Sequence, residues 1–110
     1  MKKALRYNTG KPRLSLVSWE FVKGAAHVAW WAANQGPYKL HNWRKGLSWS
    51  ETLDATMRHG AAITDGEWLD PTSKLPHIWH MSWNIMALCY YVAAGIGTND
   101  FWRKDEQTKK

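Results

Sequence analysis

Residues 76–94 read PHIWHMSWNIMALCYYVAA, a run that is apolar on more than one helical face and ends at Gly95. Pro76 suits the first turn of a helix, where its missing N–H has no intrahelical partner anyway, and a glycine just past the apolar residues is a stop signal. The spacing predicts a helix from Pro76 to just before Gly95. Within it His77, His80 and Asn84 recur at i, i+3 and i+7, a polar stripe among Ile78, Trp79, Met81, Trp83, Ile85 and Met86. Burying imidazoles and an amide without partners costs roughly 1–3 kcal/mol per group, so the stripe must meet water, a ligand or the polar side of another helix.

Immediately upstream, residues 64–77 read TDGEWLDPTSKLPH. Carboxylates at Glu67 and Asp70 with imidazoles at His77 and His80 can hold a divalent ion. Oxygen ligands suit Mg²⁺ or Mn²⁺, and two histidines tilt the set towards Mn²⁺ or Zn²⁺. The plainer expectation is that Asp65 and Asp70 form turns, Glu67 is solvated and the histidines satisfy one another or the backbone.

The helix before this loop opens at Ser48-Trp49-Ser50-Glu51, a capping box in which the Ser48 hydroxyl accepts the Glu51 N–H and the Glu51 carboxylate reaches back. It is expected to run to about Thr64, with Gly66 after it. Glu51, Asp54 and Arg58 share one of its faces, a carboxylate pair beside a cation. A third helix is expected from Ser15 to Asn34, closed by Gln35-Gly36-Pro37, with Glu20, Lys23, His27 and Asn34 on a solvated side. Gly24 and Gly60 sit inside helical patterns at about 1 kcal/mol each against Ala, which points to close helix–helix approach.

Residues 34–49, NQGPYKLHNWRKGLSW, interleave Tyr38, His41, Trp43 and Trp49 with Lys39, Arg44 and Lys45. Aromatic faces can stack on a base while the cations take phosphates; equally, the rings can simply pin the loop to the core.

These pieces fit one small all-α domain of 110 residues, a bundle of three or more helices completed by homo-oligomerisation, because so short a chain buries limited apolar area. Hydrophobic residues make up 45% and charged residues 22%, which excludes wholesale disorder, and nine tryptophans call for a Trp-rich core or a stacking surface. The formal charge is +6, yet residues 1–13 carry Lys2, Lys3, Arg6, Lys11 and Arg13 with no acid, while bases and acids balance over residues 14–98. A basic arm (1–13), a neutral helical domain (14–98) and a charged tail (99–110) follow, and nucleic acid is a disfavoured partner. Cys89 is the lone cysteine, so an intrachain disulfide is excluded, and its neighbours Leu88, Tyr90 and Tyr91 predict a buried thiol. The N-terminus lacks an apolar signal region and the run Ile85 to Ala94 is about half a membrane span, so a cytoplasmic location is expected. No GxxxxGK[ST], GxSxG or HExxH pattern occurs.

The ordered pieces Lys11-Pro12-Arg13, Asn42-Trp43, Lys45-Gly46, Trp49-Ser50, Arg58-His59, Gly66-Glu67, Asp70-Pro71, Leu75-Pro76-His77, His80 and Asn84 resemble the phage and prophage domain known as the N-terminal domain of dATP/dGTP diphosphohydrolases. The resemblance covers about residues 7–94. It implies an all-α, oligomeric protein akin to MazG-like pyrophosphohydrolases, which cut between the α and β phosphates with carboxylate-bound Mg²⁺, at work in a phage-infected host. It further implies Glu51, Asp54, Glu67 and Asp70 as metal ligands, with His77 beside them, and His80 or a carboxylate to orient water. Arg44, Lys45, Arg58, His59 and Asn84 would contact the nucleotide, and Trp43 or Trp49 would stack on the purine. MazG-like enzymes carry an ExxE and an ExxD pair; here Glu51-x-x-Asp54 stands for one and the last helix offers His77, His80 and Asn84.

Two functions follow. One is a metal-dependent purine nucleotide pyrophosphohydrolase with Mg²⁺ or Mn²⁺. The other is a non-catalytic sponge that sequesters a host defence nucleotide between subunits. Single-strand binding through the arm is a weaker third, and a steep salt dependence would mark it.

Overall fold

The computed structural model describes residues 4–7, 9–35 and 39–107. Three long helices dominate: α1 (Trp19–Gln35), α2 (Trp49–Thr64) and α3 (His77–Ala94), followed by one turn, α4 (Lys104–Gln107). Two 3₁₀ turns, Leu14–Leu16 and Asn42–Lys45, precede α1 and α2. The described residues form no strand, only two isolated bridges, Ser48 with Thr98 and Leu69 with Pro76. The fold is all-α, as the periodicity implies. The basic residues Lys2 and Lys3 and the loop residues Gly36, Pro37 and Tyr38 lie outside the described residues.

α1 begins four residues later than the pattern predicts. Val17 is extended (φ −88, ψ 136), and Ser18 takes the capping role, its hydroxyl accepting the Glu20 N–H at 3.3 Å and donating to the Glu20 carboxylate at 2.6 Å. At α2 half of the expected capping box forms, with Ser48 accepting the Glu51 N–H at 3.2 Å. The carboxylate comes from the far end of the chain instead of from Glu51. Asp100 accepts from the Ser48 hydroxyl at 2.6 Å, the Ser50 hydroxyl at 2.7 Å and the Ser50 N–H at 2.9 Å, and these donors hold its carboxyl far below the usual carboxylate range.

The same junction is laced by backbone. Trp49 N–H donates to Thr98 O at 3.0 Å and the Trp49 indole N–H to Ile96 O at 2.8 Å. Gly46 and Gly97 meet face to face: both have positive φ, and a Cβ on Gly46 would lie 2.5 Å from the Gly97 nitrogen. The entry to α2 is thereby tied to the exit from α3.

α3 is the central helix, with α1 on one side and α2 on the other; among the described residues α1 and α2 do not pack directly on each other. This explains why α3 is apolar on several faces. The buried apolar core is thin, comprising Ala25, Val28, Ala87 and the fully buried Tyr91, whose hydroxyl donates to Trp43 O at 2.7 Å. Much apolar surface stays uncovered, including Trp30 (65% exposed) and Trp19 (62%) on α1. Cys89 belongs to this outer surface: its thiol is exposed rather than buried, because it lies on a side of α3 that neither flanking helix covers.

Candidate functional site

The polar stripe of α3 meets polar groups from α2 and from the loop between them. His59 on α2 and His77, the first residue of α3, face each other with their Nδ1 atoms 2.7 Å apart. The other nitrogen of His77, Nε2, lies 2.7 Å from Oε1 of Glu67. An ionised carboxylate only accepts, so His77 Nε2 carries the hydrogen and Nδ1 keeps a lone pair, which accepts from His59 Nδ1–H. One turn further on, His80 stacks on His59 (centroids 4.6 Å apart, 8° between planes), and its Nε2 is 2.7 Å from the Ser73 hydroxyl. Trp31 of α1 closes that side edge-on at 5.8 Å.

The α2–α3 loop is shaped to bring its carboxylates here. Asp70 Oδ1 accepts the N–H groups of Thr72 at 2.9 Å and Ser73 at 2.8 Å, an Asx turn, and Lys74 N–H returns to Asp70 O at 2.8 Å. Lys74 adopts the left-handed region (φ 66), which costs a side-chain-bearing residue about 1–2 kcal/mol. His77 N–H bonds Trp68 O at 2.9 Å, so the loop ends lock α3 onto α2.

Electrostatics follow from this geometry. Burial, reinforced by the neighbouring His80 and His77, holds His59 below the ordinary histidine value, and burial does the same to His80 despite the attraction of Asp70. For Asp70, burial pushes upward but is outweighed by the Ser73 and Thr72 N–H groups, the Ser73 hydroxyl and His80, so its carboxyl lies below the usual range. At neutral pH the cluster thus combines neutral imidazoles at His59 and His80 with an ionised carboxylate at Asp70. The ligand atoms of His59, Asp70 and His77 lie within 4.8 Å of one another, close enough to converge on one metal ion.

The other expected site residues are elsewhere. Glu51 lies about 12 Å along α2 from His59, and Asp54 is turned about 140° away from it around the helix; both are exposed, as is Arg58. Asn84 donates to His80 O at 2.8 Å. Trp43 and Trp49 are half-buried anchors: Trp43 meets Trp83 and Tyr90 edge-on at 5.9 and 5.2 Å, and Arg44 lies over its ring at 4.8 Å. Lys45 is exposed beside them. Trp43 also lines a cavity of about 310 Å³ with Ala29, Ala33, Leu40 and Trp83.

Over residues 1–101 the sequence matches the protein family described as dATP/dGTP diphosphohydrolase, N-terminal. The chain belongs to this family. No curated protein and no solved structure matches it. No helix among the described residues of this diphosphohydrolase-family chain is long and apolar enough to cross a membrane.

Sequence reasoning missed two residues of the cluster in this family member. Ser73 sits three residues after Asp70, the offset of an Asx turn, and seven before His80, so it was readable only once the loop geometry was known. Trp31 carried no local signal; it reaches His80 because α1 packs on α3.

Proposed function

We propose that this protein is a divalent-metal-dependent diphosphohydrolase that converts purine deoxynucleoside triphosphates to the monophosphate and pyrophosphate. The observation that carries the reading is the convergence of His59, Asp70 and His77, backed by Glu67, in a chain of the dATP/dGTP diphosphohydrolase N-terminal family. Two imidazoles and one carboxylate suit Mn²⁺ better than Mg²⁺, which prefers oxygen ligands and its own water. A bound divalent ion supplies charge neutralisation for the triphosphate.

The chain's own residues do the rest. Glu67 fixes the ring of His77 and raises the basicity of Nδ1, the role of a carboxylate behind a ligating histidine. His80, neutral and held by Ser73, is the imidazole not spent on the ion and accepts the proton of the attacking water. The water oxygen bonds to the α-phosphorus, the bond from that phosphorus to the oxygen bridging to the β-phosphorus breaks, and pyrophosphate leaves. Arg58 points away from the cluster but its charge acts on His59, and it would pair with phosphate oxygens that reach beyond the ion.

A second reading rests on the uncovered apolar face of α1, where Trp19, Val22 and Trp30 are exposed. Such a face favours a homo-oligomer, and a nucleotide held between subunits without hydrolysis would make the protein a sponge for a defence signal. Incubation with a mixed nucleotide pool and Mn²⁺ or Mg²⁺, followed by mass spectrometry of solution and of denatured protein, separates the two. Monophosphate and pyrophosphate in solution support the hydrolase, whereas an intact nucleotide recovered only from the protein supports the sponge.

A further inference from the structure

The cavity beside Trp43 shares no lining residue with the histidine cluster. Its inner part, about 310 Å³, is walled by Ala29, Ala32 and Ala33 of α1 and by the rings of Trp43 and Trp83. That volume is at the small end of ligand pockets, roughly 300–1,000 Å³, and suits one ring system with a sugar. Lys39, Leu40 and Asn42 line both this part and an adjoining cleft of about 580 Å³, to which His41 and Lys45 add their side chains. Among the described residues, no acidic side chain lines either space. Arg44 does not compete for the cleft: its guanidinium lies 4.8 Å from the Trp43 ring and 5.2 Å from the Tyr90 ring, and its Nε donates to His41 Nδ1 at 3.0 Å.

Trp83 has one further feature. Among the described residues, the buried side-chain polar atom without a hydrogen-bond partner is the indole N–H of Trp83. An apolar space between small residues and tryptophans, with two lysines at its mouth, matches a heteroaromatic ring carrying an anionic tail.

We propose that this cavity is a nucleoside phosphate-binding site separate from the metal cluster, with the base between α1 and the Trp43 and Trp83 rings and the phosphate at Lys39 and Lys45. Binding here needs no divalent ion. The three alanines set the width of the cavity, since a larger side chain from α1 would enter the space of the base.

The test is calorimetric titration of the full chain with dGMP in EDTA, with deoxyguanosine and inorganic phosphate as separate probes. Saturable one-to-one binding of dGMP is expected, at least tenfold tighter than either probe. The pair Lys39→Ala and Lys45→Ala, both on the surface, should weaken dGMP at least tenfold and leave deoxyguanosine unchanged. Ala33→Leu should abolish binding of both. The site is overturned if dGMP fails to bind in EDTA, if the lysine pair leaves its affinity unchanged, or if Asp70→Asn removes it. Loss of hydrolysis with every divalent ion, alongside intact dGMP binding, would instead sink the proposed hydrolase and leave this site standing.

Discussion

His59 and His77 approach through like nitrogens, Nδ1 to Nδ1 at 2.7 Å, while Glu67 holds the opposite side of the His77 ring. One proton therefore bridges the two imidazoles, at the point where Asp70 converges with them. A cation that replaces that proton gains two nitrogen lone pairs and one carboxylate at once. Asp70→Asn tests this most cleanly, because the amide oxygen still accepts the Thr72 and Ser73 N–H groups and the loop keeps its shape. Mn²⁺ affinity should fall at least tenfold by calorimetry, with the chain still folding cooperatively and only a modest drop in melting temperature from the lost charge. An undiminished affinity would remove Asp70 from the ligand set.

Glu67→Gln asks whether the carboxylate acts through His77 rather than on the ion. Glutamine can still accept from Nε2, so the ring stays oriented while its basicity drops. Partners of this kind are worth roughly 10–100-fold in metal affinity or activity. The expected signature is weaker Mn²⁺ binding with wild-type nucleotide affinity measured in EDTA. If Glu67→Gln binds Mn²⁺ as tightly as the wild type, the Glu67–His77 contact is only a brace for the loop.

The three helices were legible because their stop and start signals are strong: Ser48 before α2 and Gly95 after α3 behave as their residue types dictate. The stripe of His77 and His80 also announced buried polar contacts, since an apolar helix cannot strand imidazoles. What periodicity could not show is which face of α2 they meet. Glu51, Asp54 and Arg58 look like the natural partners by spacing, yet the α2–α3 loop pins the hairpin so that His59 faces the stripe and the acidic pair faces outward. Asp100 was equally hidden, because nothing local connects a residue after α3 to the first turn of α2.

Acid should loosen the fold in two stages. His59 and His80 lie below their ordinary value in the folded chain, so the unfolded chain binds protons first as pH drops through about 6.5. Stability therefore rises with pH through the window below 6.5 and declines on acidification. Asp70 and Asp100, both lowered, add stability that is present above the unfolded carboxylate value of about 3.9 and is lost as pH falls below it. Melting curves at pH 7.5, 6.0, 5.0 and 3.5 in metal-free buffer should show a monotonic fall. A His59→Gln, His80→Gln chain should flatten the upper stage alone.

The two intrahelical glycines should part company when replaced by alanine. At Gly24 an added Cβ would lie 2.6 Å from Cδ1 of the Trp79 ring and 2.8 Å from Cγ, and that ring is stacked on His27 with centroids 4.9 Å apart. A rigid indole cannot yield by rotation, so α1 must lift from α3, at the roughly 1–3 kcal/mol typical of overpacking. At Gly60 the nearest atom is the terminal methyl of Met81 at 3.3 Å. A thioether chain swings aside easily, leaving the gain in helix propensity of about 1 kcal/mol. Gly24→Ala should lower the denaturation midpoint and Gly60→Ala should hold or raise it. The reverse order would mean that α1, and not α2, is the loosely seated neighbour of α3.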